Sequence, residues 1–253
     1  MSLFYREIGE GENIIILHGL MGMSDNWMHI ARKLSNTHHV FVPDLPNHGS
    51  SPDDDVFSYE SMLEAFLIWK EEVGIEKATV IGHSMGGKLA MKLALEYPDF
   101  VEKLFVLDIS LRDYSSFGNQ EKLLDKILEI PLYCIRGRKE LNERVKLVIA
   151  DNSVEMLVLK NIKAVENGYA WKMNPHLIRK NISNVYAEVS SLSKYQGKSF
   201  VLRGELSDYV SDDDFEEIKK SFPQAELITL KNAGHWLHVD CLDDFMKRIK
   251  SSL

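Results

Sequence analysis

Residues 78–98 read ATVIGHSMGGKLAMKLALEYP. A short apolar and β-branched run leads into Gly82-His83-Ser84-Met85-Gly86, and a run with helical spacing follows at once. That order predicts a strand, a very tight turn and a helix, with one serine at the apex. The pattern Gly-x-Ser-x-Gly says little alone, because glycine and serine are common; between a buried-type strand and a helix it says much more. Such a turn strains the backbone of its central residue and exposes that residue's side chain. The positions two before and two after must lack side-chain bulk. The serine hydroxyl then stands at a helix N-terminus, where backbone N–H groups face incoming negative charge.

Working outward, the same alternation continues on both sides. Upstream, 13–17 is a continuous apolar strand, 27–34 a helix behind the cap-type residues Ser24, Asp25 and Asn26, and 39–43 another buried-type strand. Residues 59–73 have helical spacing and stop at Gly74. Downstream, 101–109 is a strand containing Asp108. Strand and helix thus alternate from 13 to 109, the signature of a mostly parallel sheet with helices on both faces. Before it, 4–8 reads as a first short strand and 9–13 as a hairpin turn. From 110 to 193 the alternation breaks. Helical spacing recurs over 120–128, 141–150, 154–162 and 175–190, interrupted by a strand-like piece at 169–173. A loop of that length without structure is uncommon, so the stretch is expected to be a helical lid. The expected division is a core of 1–112 plus 191–253 and a lid insertion of 113–190. Strands at 198–203 and 225–230 and helices at 215–222 and 241–249 complete the core.

Composition excludes several classes. The 253 residues are 45% hydrophobic and 27% charged, ordinary for a globular α/β chain. A net charge of −8 argues against a general nucleic-acid binder, which carries a basic face. The two cysteines, Cys134 and Cys241, lie far apart and in no metal-ligand spacing, which fits a reducing compartment. Residues 1–19 show no basic segment before a signal-type apolar core, and their longest apolar run, 14–17, is too short to span a membrane; a cytoplasmic protein is the expectation. The acidic run Asp53-Asp54-Asp55 reads as a solvated loop, and no metal site is expected.

A serine hydroxyl needs a base to take its proton, and the base needs a carboxylate to hold its tautomer. Loops after parallel strands gather at one edge of the sheet. His235, in Ala-Gly-His-Trp after the last strand, is the candidate base. Among the other histidines, His238 falls at a helix start, His83 adjoins the serine in a turn that points neighbours apart, and His18 and His48 sit in glycine loops. His29, His38, His39 and His176 have no motif around them. Two carboxylates fit the order serine, acid, histidine: Asp108, and Asp208 after the next strand. An oxyanion at the attacked carbonyl needs two donors. The backbone N–H of Met85 is one, and that of Leu20, in the loop after the 13–17 strand, is the other.

HGLMG (18–22), DLPNHGSS (44–51), GHSMGG (82–87) and AGHW (233–236) together resemble the α/β-hydrolase superfamily over nearly the whole chain. DNW at 25–27, Lys88 after GHSMGG, LDIS at 107–110 followed by Asp113-Tyr114, and Ser-x-Tyr-Val at 207–210 are similar to YbfF-like esterases and the related mitochondrial ABHD-type hydrolases. The resemblance implies hydrolysis of small acyl esters or thioesters, acyl-CoA among them, through Ser84 and without a cofactor. It also bears on the acid. The place that holds the acid in most of the superfamily, three residues beyond Gly204, is Ser207 here; in the similar branch the acid follows the preceding strand, which matches Asp108 and leaves Asp208 the alternative. His18, Asn26, Trp171 and Trp236 are the candidates for lining the substrate pocket. The expected partner is a small-molecule ester, with no nucleic acid and no stable membrane insertion, on a monomer or small homo-oligomer. A carbon–carbon bond hydrolase or lyase on the same fold, and a non-catalytic ligand-binding member, are the rival readings.

Overall fold

The strand that carries the serine, β4 (Ala78–His83), is buried along its whole length at the middle of a seven-stranded sheet. The computed structural model describes residues 2–253; Met1, where the expected core begins, lies outside them. β4 pairs in parallel with β2 (Glu12–Leu17) on one side and β5 (Val101–Leu107) on the other. β3 (His38–Pro43) continues the parallel sheet beyond β2, and β8 (Lys198–Gly204) and β9 (Ala225–Leu230) continue it beyond β5. Alternation along the buried strands feeds two cores. Ile15, Leu17 and Val80 face one side with α2 (Tyr59–Val73) and α3 (Met85–Glu96). Ile14, Ile16 and Ile81 face the other with Trp27 and Ile30 of α1 (Ser24–Leu34) and Phe245 of α11 (Leu242–Ser252). A strand buried on both faces must be apolar throughout, which is what the run at Ile14–Leu17 spells.

Two details of the N-terminal part differ from the sequence reading. β1 (Tyr5–Ile8) does not form a hairpin with β2; it pairs antiparallel with β3 at the sheet edge. Its Arg6 and Glu7 are exposed, which suits an edge, whereas the apolar β2 is drawn inside. The Gly9 and Gly11 segment therefore crosses the end of β3. Helix α1 begins at Ser24, three residues before Trp27, because Asn26 Oδ1 accepts the N–H of Met23 at 2.8 Å and caps the turn there.

Between β5 and β8 lie α4 (Asn119–Leu128), α5 (Arg138–Val148), α6 (Asn152–Lys160), a hairpin of β6 (Ile162–Val165) and β7 (Gly168–Trp171), α7 (Pro175–Lys180) and α8 (Ile182–Tyr186). Strand β6 replaces the end of the helix expected over 154–162. Glu166 and Asn167 form a two-residue hairpin loop that closes on Gly168 at φ 109°, a conformation glycine adopts readily. The helix expected over 175–190 breaks at Asn181, whose side chain donates outward to Asp55 O at 3.1 Å. After β8 come α9 (Asp212–Ser221), β9, the short α10 (Leu237–Asp240) and α11. No helix among the described residues is long and apolar enough to cross a membrane.

Candidate active site

Ser84 has φ 52° and ψ −119°, a left-handed conformation that a serine adopts only under constraint. The constraint is packing of α3 against the sheet. A Cβ on Gly82 would lie 2.3 Å from Gly86 O, and one on Gly86 would lie 2.4 Å from Leu17 O. The two glycines let helix, strand and turn close around the serine. The Ser84 N–H donates to Leu107 O at 3.0 Å, tying the elbow to the neighbouring strand.

At the end of that strand Asp108 is fully buried, with φ 51°. Its Oδ1 accepts the Gly204 N–H at 3.0 Å, and its Oδ2 accepts His235 Nδ1–H at 2.8 Å and the Ser207 hydroxyl. A carboxylate so supplied with donors holds the His235 imidazole with Nδ1 protonated and Nε2 free. Asp208 points elsewhere: it is exposed, and its backbone carbonyl is what Arg112 reaches at 3.4 Å. The His235 ring stacks on Tyr209 at 3.8 Å between centroids, and its carbonyl accepts His83 Nε2–H at 2.9 Å. Burial, then the His235 charge, lower the His83 pKa to about 3, so His83 braces the loop as a neutral donor. The sequence offers Ser207, Tyr209 and His83 as parts of motifs, without the contacts they make with Asp108 and His235. Those contacts join residues far apart in the chain, which a short pattern does not encode.

Ser84 and His235 line one cleft of about 500 Å³ together with Leu20, Tyr209 and Trp236. Among the described residues no direct hydrogen bond joins Ser84 Oγ to His235 Nε2; such contacts are often long without substrate and tighten in the complex. The segment between β5 and β8 lines the cleft with apolar Leu123 on α4, Val148 and Ile149 at the end of α5, and Val154 and Leu157 on α6, and with polar Lys122, Lys126 and Asp151. Leu20 adjoins the serine, since a Cβ on the preceding Gly19 would lie 3.2 Å from Ser84 Cβ. Met85 opens α3, and first-turn N–H groups have no acceptor within their own helix.

Of the four pocket candidates, Trp236 lines this cleft and the other three do not. His18 is fully buried: its Nδ1–H donates to Gly19 O at 2.9 Å and its Nε2 accepts the Leu45 N–H at 2.9 Å. It braces the Leu20 loop from behind, and burial lowers its pKa to about 4. His48 does the same one step further out, accepting the Met21 N–H at 3.0 Å. Trp171 lies on the β6–β7 hairpin, paired with Ile162, and lines a separate groove with Ser50, Lys163 and Lys172. Asn26 is occupied as the α1 cap and borders a second cleft of about 230 Å³, which shares Leu20 and Trp236 with the first.

A sequence model of the alpha/beta hydrolase fold matches residues 12–129. The chain is 32% identical to sn-1-specific diacylglycerol lipase ABHD11 of Mus musculus, over 95% of this chain and 80% of that protein. It is 28% identical to esterase YbfF of Escherichia coli K12, over 95% of this chain and 92% of that one. Among solved structures it is similar to a marine microorganism esterase, with a TM-score of 0.96, 38% identity, and coverage of 100% of this chain and 99% of that one.

Proposed function

The chain belongs to the α/β-hydrolase fold family and is a carboxylesterase-type hydrolase, and we propose that it cleaves short acyl esters and thioesters, acyl-CoA among them, through an acyl-enzyme on Ser84. The observation that supports this reading is the buried Asp108 carboxylate bonded to His235 Nδ1, with Ser84 and His235 on one cleft wall. Ser84 Oγ attacks the acyl carbonyl while His235 Nε2 takes its proton. The carbonyl oxygen, now negative, receives the N–H groups of Leu20 and Met85; one such donor is worth about 3 kcal/mol of transition-state stabilisation. Collapse of the tetrahedral adduct breaks the bond to the alcohol or thiol, which leaves with the proton from His235. Water repeats the sequence on the acyl-enzyme and releases the acid. Asp108 stabilises the imidazolium in both halves.

Residues 113–190 act as a lid that selects the acyl group, whose chain runs toward Leu123, Val148 and Leu157. No cofactor takes part. Ser84→Ala is the test. Hydrolysis of p-nitrophenyl acetate and butyrate by this variant should fall by at least about a thousandfold. Retained wild-type turnover would sink the mechanism.

A further inference from the structure

Lys88 lies one helical turn beyond Ser84 on α3 and is 1% exposed. No carboxylate accepts from it. Its Nζ instead donates to three backbone carbonyls: Arg112 O at 2.7 Å, Ala187 O at 2.6 Å and Tyr186 O at 3.2 Å. Those carbonyls belong to the two ends of the segment between β5 and β8, where the chain leaves the core and returns. The ends bond each other as a neck, with Tyr114 N–H donating to Tyr186 O at 2.9 Å and Val189 N–H to Leu111 O at 2.9 Å. The ammonium also stands 4.9 Å from the Tyr114 ring centroid and 5.7 Å from that of Tyr59. Between Lys88 and Ser84 is a small void of about 30 Å³ whose wall includes Tyr114, Tyr186 and Gln120. Tyr186, which Lys88 holds, and Tyr114, which bonds it across the neck, thus wall a void that Ser84 shares.

The geometry points to Lys88 as a latch. It fixes the neck of the 108–197 segment to the helix that carries the nucleophile, and so acts as a positioning residue for acyl-chain selection, a role that rests on the ester-hydrolase reading. An ammonium offers three donors and meets three acceptors. The neutral amine offers two, so its deprotonation removes one of the three hydrogen bonds that tie the neck to α3. Burial lowers the Lys88 pKa from 10.5 to about 8. The charged and titratable groups around it are Asp113 and Glu188, which favour the ammonium, Arg112, which opposes it, and the hydroxyls of Tyr59, Tyr114 and Tyr186. The sign for overall stability runs the other way. Between about pH 8 and 10.5 the unfolded chain binds more protons than the folded one, so this group's contribution to stability rises with pH. Local loosening of the neck without global destabilisation is therefore the signature.

Two measurements test it. In the wild-type protein, hydrogen exchange of the Tyr114 and Val189 amides, corrected for the intrinsic rate, should quicken about tenfold from about pH 7 to about pH 9, one hydrogen bond's worth, while Ile81 and Val106 in the sheet stay protected. In Lys88→Met, with Ser84 still labelled by a fluorophosphonate, the octanoate-to-acetate ratio of kcat/KM should shift about tenfold, mainly through KM, and lose the pH dependence seen in the wild type; Lys88→Arg should restore part of the ratio. A neck whose exchange tracks the sheet at both pH values, or an unaltered chain-length ratio and pH profile in Lys88→Met, overturns the latch. Absence of ester hydrolysis in the wild type contradicts the ester-hydrolase reading instead, and the exchange experiment still judges the latch.

Discussion

The Asp108 carboxylate accepts from His235 Nδ1, the Gly204 N–H and the Ser207 hydroxyl, and it is fully buried. Asp108→Asn keeps the shape but replaces an acceptor by an amide that no longer enforces the Nδ1–H tautomer. Its kcat on p-nitrophenyl butyrate should fall by about 10³- to 10⁴-fold, while Asp208→Asn, at an exposed site, should stay within about twofold. Loss confined to Asp208→Asn would reverse the assignment. Ser84 and His235 are legible in the sequence because each sits in a short pattern whose backbone demands only certain residues. The choice between two aspartates was not legible from those patterns, because it depends on which strand end faces His235. His18 reads as a pocket candidate for a similar reason: a histidine in a glycine loop looks the same whether it faces the substrate or braces the loop from behind.

At the scale of elements, the elbow works because α3 is pressed onto the sheet. Gly86→Ala would place a Cβ 2.4 Å from Leu17 O and 2.6 Å from His18 O, both backbone atoms that cannot yield cheaply. We expect a loss of about 3 kcal/mol or more in urea unfolding. Gly137→Ala, where a Cβ would meet nothing within 4 Å, should change stability by no more than about 0.5 kcal/mol. Equal effects at the two positions would mean that the close approach does not constrain the turn. The core strands were readable because apolar runs bounded by turn residues have few other fates. The edge pairing of β1, the β6–β7 hairpin and the break at Asn181 were not. Each is decided by a distant partner, such as Val42 opposite Arg6 or Asp55 O beneath Asn181, and not by local periodicity.

Taken whole, the molecule hides several neutral histidines behind the loops that carry Leu20, Ser84 and His235. Burial lowers the pKa of His18 from 6.5 to about 4 and those of His48 and His83 to about 3. The unfolded chain protonates them near pH 6.5, whereas the folded chain resists until far lower. Across that window the unfolded state binds more protons, so stability falls as pH falls. The melting temperature should drop steadily from pH 7.5 to pH 5, before carboxylate protonation matters; a flat or rising trend would contradict neutral burial. Fold and hydrolytic class were recoverable from the sequence because the superfamily's motifs lie on the loops at one sheet edge. Which residues share a cleft with Ser84 and His235 was not, since that depends on how the 108–197 segment packs over them. The most direct measurement of the central claim is mass-spectrometric mapping of the protein after acid quench during p-nitrophenyl butyrate turnover. We expect one butyryl group on the peptide bearing Ser84, and none in Ser84→Ala. Acylation of another residue, or rapid turnover with no acyl adduct in the wild-type protein, would contradict an acyl-enzyme at Ser84.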